Sequence, residues 1–192
     1  MSRVLIAGGA GGLGQALAPL LTNNDRVVRI SSRVARRGDG DESWEWAQSG
    51  LEPGAALDAA VRDVETVVHC ASSPFRQTKQ VDVTGTQNLL QAAKAEGVKH
   101  FVYISIVGVD RIPFGYYRAK FAAEEAVVQG GVPWSILRAT QFHTLLDDNF
   151  ILALFRLPVA MVPTNFKFQL LDTGEAAQRI LADRRCAALE TW

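Results

Sequence analysis

The sequence lacks the features that would suggest a charged partner, an oxidising compartment or a membrane. Twenty Lys and Arg side chains balance twenty Asp and Glu, so the net charge of +0 gives no attraction to nucleic acid or to an anionic membrane. The two cysteines, Cys70 and Cys186, are too few for a disulfide framework and form no metal-ligand spacing. No apolar run reaches the roughly 20 residues of a transmembrane helix, and the first predicted strand begins too early to leave room for a signal peptide. We therefore expect a cytoplasmic protein without a metal site.

Glycine is concentrated near the start of the chain, in the stretch R-V-L-I-A-G-G-A-G-G-L-G. A short apolar strand precedes these glycines, and residues 15–21 follow them with helical periodicity, which is the context of a dinucleotide-binding turn. In that interpretation Gly8 reverses the chain, Gly11 lets the backbone approach a pyrophosphate, and Gly14 lets the helix pack closely on the strand. The alternative is an ordinary flexible turn. The predicted cofactor contacts here are Gly8, Ala10, Gly11, Gly12, Leu13 and Gly14.

Strand-like and helix-like segments alternate along the rest of the 192 residues, which suffice for one well-buried domain. The predicted strands are Arg3–Ala7, Arg26–Ile30, Trp44–Ala47, Glu65–Cys70, Lys99–Ser105 and Val132–Arg138. This alternation predicts an α/β fold with a doubly wound parallel sheet, a Rossmann fold. We expect an NAD(P)-binding domain over residues 1–143. A short substrate-side segment over 144–192 would pack on it, with a helical flap (Leu145–Leu157), a strand (Phe166–Leu171) and a helix (Asp172–Ala182).

The end of the second strand carries no acid where an NAD enzyme places an Asp or Glu on the ribose. Ser32 and Arg33 stand there instead, and a guanidinium suits the 2′-phosphate of NADP(H) because it donates two parallel hydrogen bonds. A solvated basic loop is the alternative. Ala71 and Ser72 follow the fourth strand, where small residues would let the cofactor pass close to the backbone. His69, one residue inside that strand, is predicted to be a hydrogen-bonded core histidine.

Tyr116 and Lys120 are the candidate catalytic residues. In Y-Y-R-A-K they are four residues apart on a predicted helix and therefore share one face. An ammonium beside the phenol would lower its pKa from near 10, so that Tyr116 exchanges a proton with a carbonyl or alcohol. Lys120 would also hold the nicotinamide ribose. The alternative for Tyr116 is packing at the helix start; Tyr117 is the fallback phenol if the register differs.

Five stretches resemble the atypical short-chain dehydrogenase/reductase superfamily, in its NmrA-like, NAD(P)H-binding branch, often labelled nucleoside-diphosphate-sugar epimerase. They are V-L-I-A-G-G-A-G-G-L-G, V-D-V-T-G-T-Q-N-L-L-Q-A-A, H-F-V-Y-I-S-I-V-G-V-D, Y-Y-R-A-K-F-A-A-E-E-A-V and P-W-S-I-L-R-A-T-Q-F-H. The resemblance implies a Rossmann fold, a nicotinamide cofactor, a small-molecule substrate and pairing of two subunits in many members. It also implies that the turn after the sixth strand faces the nicotinamide, with Phe142 against the ring.

The chain departs from that superfamily in three places. Active members carry a Ser or Thr just after strand five, and this position falls on Ile106 or Val107. An Asp near the end of strand three often contacts adenine, and the best match is Gly50. The C-terminal part is short, which predicts a pocket that is open or completed by another subunit. The leading hypothesis is an NADP(H)-dependent reductase of a small carbonyl or quinone-like compound; the alternatives are a non-catalytic NADP(H) sensor and a nucleotide-sugar epimerase.

Overall fold

The computed structural model describes residues 2–36, 43–74, 77–143 and 169–182. The predicted flap over Leu145–Leu157, the first part of the predicted strand Phe166–Leu171, and Cys186 lie outside the described residues. The division into segments 1–143 and 144–192 therefore stays a prediction.

The centre of the fold is a six-stranded sheet in which every neighbouring pair of strands is parallel. Its strands are β1 (Arg3–Ala7), β2 (Val27–Ser32), β3 (Trp44–Gln48), β4 (Thr66–His69), β5 (His100–Ile106) and β6 (Trp134–Ala139). They lie in the order β3-β2-β1-β4-β5-β6. The chain therefore adds β2 and β3 on one side of β1 and then β4, β5 and β6 on the other side. The predicted doubly wound parallel sheet is confirmed.

Helices cover both faces of the sheet, because the strands bury side chains on both sides. The helices are α1 (Gly12–Thr22), α2 (Ala55–Val61), α3 (Gly85–Ala95), α4 (Gly115–Gln129) and α5 (Thr173–Ala182). In β1, Val4 and Ile6 belong to a core shared with α1 and α5, whereas Leu5 and Ala7 belong to a core shared with α2, α3 and α4. This alternation along a strand with period two produces two separate apolar layers.

Several strand ends differ by one or two residues from the prediction, and one of them bears on the site. Ser31 and Ser32 belong to β2, because they pair with Ala47 and Gln48 of β3, whereas the prediction ended the strand at Ile30. A π-helical turn, Lys79–Thr84, also bears on the site and directly precedes α3. Such turns occur frequently at functional sites.

A small second sheet follows the main one. In it β7 (Gln141–Phe142) pairs in parallel with β8 (Leu170–Leu171), a pairing that the sequence did not predict. Helix α5 then begins after Asp172, whose Oδ1 accepts hydrogen bonds from the N–H groups of Gly174 at 2.7 Å and Glu175 at 3.2 Å. Asp172 therefore caps the N-terminus of α5.

Candidate cofactor and active site

The glycine turn lies where the strand order of the sheet reverses. Gly8 follows β1 with φ +80, and a Cβ at this residue would lie 2.6 Å from both the N and the Cα of Ala71, which follows β4. The N–H of Gly8 donates to the carbonyl of Ser31 on β2 at 3.0 Å. Glycine at position 8 therefore permits both the left-handed backbone and the close approach of the two loops. The crevice at this point is where open α/β sheets bind their ligands.

Helix α1 begins directly after this turn and points its N-terminus into the same region. Its N-cap residue is Gly11, which offers no side chain to satisfy the first N–H groups of the helix. A Cβ at Gly14 would collide with the backbone of Gly9, so a glycine here allows the helix to pack against the turn. The free N–H groups and the helix dipole suit an anionic group such as a pyrophosphate.

A cavity of about 460 Å³ opens beside the turn. Seven of the predicted cofactor residues lie in its wall: Gly8, Ala10, Gly11, Ser32, Arg33, Ala71 and Ser72. The other five, Gly12, Leu13, Gly14, Lys120 and Phe142, lie outside the wall. Leu13 and Phe142 pack with the apolar core that includes α1 and α5. A cavity of this volume beside a glycine turn and a helix N-terminus suits the phosphate and adenosine part of a dinucleotide.

The far end of the cavity contains a carboxylate that the sequence reasoning missed. Glu52 lines the wall together with Ser49 and Gly50. A side chain built on Gly50 would collide with Glu52 Oε2 and would lie 3.4 Å from Cγ of Arg33. Glu52 therefore places its carboxylate beside the position where relatives carry an acid at the end of the third strand. An acid was expected at the strand end itself, where Gly50 stands, whereas Glu52 comes later in the following loop.

The phenol of Tyr116 is connected to the cavity through Ser72. Its OH lies 2.8 Å from Oγ of Ser72, which stands in the cavity wall. Ser72 Oγ in turn donates to Oδ1 of Asp82 at 2.6 Å, and Oδ2 of Asp82 accepts from the N–H of Ser73 at 3.0 Å. Asp82 lies in the π-helical turn and is 0% exposed. Because the hydroxyl proton of Ser72 is directed to Asp82, the phenol is the donor in its bond with Ser72.

Lys120 lies in the same cluster, although it is not bound to Tyr116. Its Nζ donates to the carbonyl of Ile104 at 2.7 Å, lies 3.7 Å from Oδ1 of Asp82, and sits 4.2 Å from the centre of the Tyr103 ring. Burial lowers the pKa of this lysine to about 8, and the nearby carboxylate of Asp82 opposes part of that fall. Lys120 is thus a buried cation with internal partners.

The expectation that Lys120 lowers the pKa of Tyr116 is wrong. Burial raises the pKa of the phenol to about 12; the hydrogen bond with Ser72 offsets part of the rise, and the negative charge of Asp82 adds to it. The physical reason is that the ammonium is directed to Ile104 and Asp82, so the charge closest to the phenol through Ser72 is negative. Tyr116 therefore keeps its proton throughout the neutral range.

The end of β5 carries no exposed hydroxyl in the described structure. Ile106 is half-buried and Val107 is 52% exposed, which agrees with the loss of the Ser or Thr expected there. Ser105, one residue earlier, is 1% exposed, and its Oγ has no hydrogen-bond partner among the described residues. The hydroxyl that lies next to Tyr116 comes from Ser72 after β4. The sequence placed Ser72 in the site, but as a cofactor contact.

His69 and Tyr117 have internal partners. His69 is 0% exposed, and its Nε2 lies 2.9 Å from Oγ1 of Thr86, which itself donates to the carbonyl of Asp82. Nε2 must therefore carry the proton, and burial lowers the pKa of His69 to about 3. The prediction of a hydrogen-bonded core histidine is confirmed. The OH of Tyr117 accepts a hydrogen bond from Gln141 at 3.0 Å.

A family of NAD(P)H-binding proteins matches this chain over residues 8–149. The chain belongs to that family. The match begins at the first glycine of the turn and includes Tyr116 and Lys120. It supports a nicotinamide cofactor without deciding between NAD(H) and NADP(H).

Similar proteins agree with this assignment. The photosystem II assembly factor Ycf39 of Trieres chinensis is 26% identical over 182 residues, which are 91% of this chain and 57% of that protein. A reductase of Streptomyces griseus, (4-alkanoyl-5-oxo-2,5-dihydrofuran-3-yl)methyl phosphate reductase, is 31% identical over 144 residues, 72% of this chain and 48% of the reductase. The chain thus spans about half the length of these two relatives.

A solved structure shows the same fold with a cofactor bound. A short-chain dehydrogenase/reductase superfamily protein of Agrobacterium tumefaciens with bound NAD superposes with a TM-score of 0.72 at 25% identity, covering 93% of this chain and 72% of the other. The resemblance to the short-chain dehydrogenase/reductase superfamily is therefore confirmed, whereas the NmrA-like branch stays a prediction. Among the described residues, none of the helices is long and apolar enough to cross a membrane. No cluster of metal-ligating side chains occurs in the same part of the chain.

Proposed function

We propose that this protein is an NADP(H)-dependent oxidoreductase that reduces a small carbonyl or quinone-like substrate. The observation that carries the proposal is the bond of 2.8 Å between the Tyr116 phenol and Ser72, because Ser72 lies in the wall of the cofactor cavity. A protonated phenol beside a dinucleotide site can donate a proton to a carbonyl oxygen. General acids of this kind contribute roughly 10²–10⁴-fold to the rate.

The residues divide the task between binding and proton donation. When bound, the nicotinamide supplies hydride from its C4. Gly8 and Gly11 let the cofactor lie close to the protein backbone, and the N-terminus of α1 stabilises the phosphates of the cofactor. Tyr116 gives its proton to the substrate oxygen as that oxygen gains negative charge. Lys120 keeps the end of β5 in place through Ile104 and compensates the charge of Asp82.

The preference for NADP(H) is part of the proposal. Arg33 stands in the cavity wall just after β2, at the position that faces the ribose in this fold. The residues before it, Ser31 and Ser32, are hydroxyl-bearing and carry no charge that would repel a 2′-phosphate. A guanidinium with neighbouring hydroxyls binds a phosphate and gains nothing comparable from an unmodified ribose.

Turnover of NADPH with a panel of aldehydes, ketones and quinones tests the proposal. We expect substrate-dependent loss of NADPH absorbance in the wild type, and a fall of at least about 100-fold for Tyr116→Phe. The dissociation constant of NADPH should stay within about threefold, because the phenol is outside the cavity wall. Tyr117→Phe is the matched control, since its OH is bound to Gln141 and not to the cavity. Normal turnover by Tyr116→Phe contradicts the assignment.

A non-catalytic NADP(H) sensor is the second candidate, and one observation favours it. The end of β5 offers no hydroxyl at Ile106 or Val107, and an oxyanion donor is often worth about 10²–10³ in rate. In that case the protein would bind NADPH and NADP⁺ with different affinities and would consume no carbonyl or quinone. Calorimetric titration with both forms of the cofactor, alongside the turnover assay, separates the two functions.

A further inference from the structure

Behind Tyr116 lies a short chain of hydrogen bonds that ends in a buried charge. The phenol contacts Ser72 at 2.8 Å, and Ser72 contacts Oδ1 of Asp82 at 2.6 Å. The second carboxylate oxygen is held by the N–H of Ser73 at 3.0 Å. Lys120 lies 3.7 Å from the same carboxylate and is 3% exposed. Neither catalysis by Tyr116 nor cofactor binding, as described above, requires an acidic residue at position 82.

The direction of these bonds follows from what each group can donate. A carboxylate only accepts, so the single proton of Ser72 points at Asp82. Ser72 is then left with lone pairs, and the phenol of Tyr116 must donate to it. If Tyr116 lost its proton, Ser72 would have to turn away from Asp82 to donate to the phenolate. The carboxylate thus competes with the phenolate for one hydroxyl proton.

We propose that Asp82 is a positioning residue for Tyr116. Its carboxylate takes the hydroxyl proton of Ser72, so that Ser72 accepts a hydrogen bond from Tyr116. Tyr116 therefore stays protonated and can donate its proton in carbonyl reduction. This inference rests on the proposed function and deepens it. It makes Tyr116 a protonated general acid in the ligand-free protein, and it disfavours the phenolate that alcohol oxidation needs. Ser72 is the contact through which the carboxylate acts. In the reduction, the phenol O–H bond breaks and its proton joins the substrate oxygen, while Asp82 keeps its charge.

The surroundings of the phenol supply two other titratable groups. Tyr103 on β5 and Tyr117 on α4 both interact with Tyr116, and neither side chain can supply a positive charge that would favour the phenolate. Among the groups that shift the pKa of Tyr116, Asp82 is the only carboxylate in the described structure. Glu124, which is also buried on α4, is bound to Arg138 at 2.7 Å instead. Glu124 therefore serves as a matched control for a buried carboxylate without a link to the phenol.

The test is the ionisation of Tyr116 in the ligand-free protein, followed by NMR of protein labelled with ¹³C at the tyrosine ζ carbon. Comparison with Tyr116→Phe assigns the signal, and circular dichroism at each pH verifies the fold. We expect Asp82→Asn to move the ionisation of Tyr116 to lower pH by about one unit. The negative charge is lost, and the amide oxygen accepts more weakly than the carboxylate, so the Ser72 hydroxyl can turn to donate to the phenolate. Glu124→Gln should leave the ionisation unchanged.

The role of Ser72 as the intermediary has its own prediction. In a Ser72→Ala background, Asp82→Asn should shift the ionisation of Tyr116 by less than half as much as in the wild type, because the hydroxyl that transmits the effect is gone. If Asp82→Asn fails to fold with Lys120 unpaired, Asp82→Asn/Lys120→Met removes both buried charges and is expected to give the same downward shift.

The two proposals fail in different ways. An ionisation of Tyr116 that is the same in the wild type and in the folded Asp82 variants overturns the positioning role, whether or not carbonyl substrates are reduced. A clear downward shift with no turnover of any substrate by the wild type supports the coupling and contradicts the proposed function. With turnover present, Asp82→Asn should also move the loss of carbonyl reduction at high pH to lower pH, because the general acid loses its proton earlier; an unchanged pH profile of kcat/KM counts against the role in catalysis.

Discussion

At the carboxyl ends of its strands, the sheet has an open cavity on one side and a packed polar cluster on the other. Beyond β1, β2 and β3 the chain leaves space, a cavity of about 460 Å³ lined largely by small residues and backbone, and Ala71 and Ser72 after β4 form part of its wall. Beyond β4 and β5 it fills the space with hydrogen-bonded polar groups, of which Asp82 and Lys120 are nearly or completely buried. The first half leaves room for a ligand because it has few large side chains, and the second is held together by buried charges that partner one another.

This difference determines how each half responds to change. An open cavity at a glycine turn tolerates polar surface substitutions and is sensitive to added volume. A buried ion pair is sensitive to the loss of either partner, because the remaining charge is left without compensation in a medium of low polarity.

Removal of the buried cation should have the largest effect on stability. We expect Lys120→Met to lower the free energy of unfolding by about 3–5 kcal/mol, because it leaves the Asp82 carboxylate buried and unpaired. Asp82→Asn in addition should restore most of that loss. Lys99→Met is the control, since Lys99 pairs with Glu65 at 3.4 Å on the surface and should contribute at most about 1 kcal/mol. Urea denaturation measures all four proteins, and equal costs for the two lysines would contradict the contrast.

Addition of one methyl group at the glycine turn should weaken cofactor binding in the cavity. Gly8→Ala strains the backbone and forces a Cβ against Ala71, so we expect NADPH affinity to fall at least about tenfold. Gly97→Ala is matched to it, because Gly97 has a similar φ of +70 with nothing within 4 Å of the new Cβ. That control should lose roughly 1–2 kcal/mol of stability and no affinity. An unchanged dissociation constant for NADPH in Gly8→Ala would place the cofactor elsewhere.

Loss of the guanidinium at the cavity should separate the two cofactors. Arg33→Ala is expected to weaken NADPH binding by roughly 10–100-fold, since a hydrogen bond to a charged group is worth about 1.5–3 kcal/mol. NADH binding should change by less than about threefold. Arg62→Ala, an exposed arginine outside the cavity wall, controls for the loss of one positive charge. Calorimetric titration of each variant with both cofactors would show equal losses for NADPH and NADH if Arg33 merely supports the loop.

The buried ammonium should also give a pH dependence of stability. Burial holds the pKa of Lys120 at about 8 in the folded protein, below its ordinary 10.5 in the unfolded chain. Between these values the unfolded state binds more protons, so the contribution of Lys120 to stability rises with pH by at most about 1.4 kcal/mol per unit. The difference in unfolding free energy between wild type and Lys120→Met should therefore grow from pH 8 to 10. A flat difference would show that Lys120 titrates like a surface lysine.

The sequence predicted the glycine turn, which depends on local spacing, better than the polar cluster of Asp82 and Lys120, which depends on contacts between distant residues. The strand, glycine turn and helix around Gly8 follow from local pattern, and the parallel, doubly wound sheet follows from the alternation of strands with helices. The direction of Lys120 did not follow, because helical spacing places it on the face of Tyr116 but does not reveal the competing carbonyl of Ile104. The carboxylate of Asp82 was part of a recognised stretch, yet only the π-helical turn shows that it faces Ser72.

The most direct test of the central claim is a calorimetric titration of the wild-type protein with NADPH and NADH under the same conditions. We expect NADPH to bind at one site with at least about tenfold higher affinity than NADH, and Gly8→Ala to weaken the binding of both. No binding of either cofactor, or equal affinity for the two, would contradict the assignment of the cavity and of Arg33.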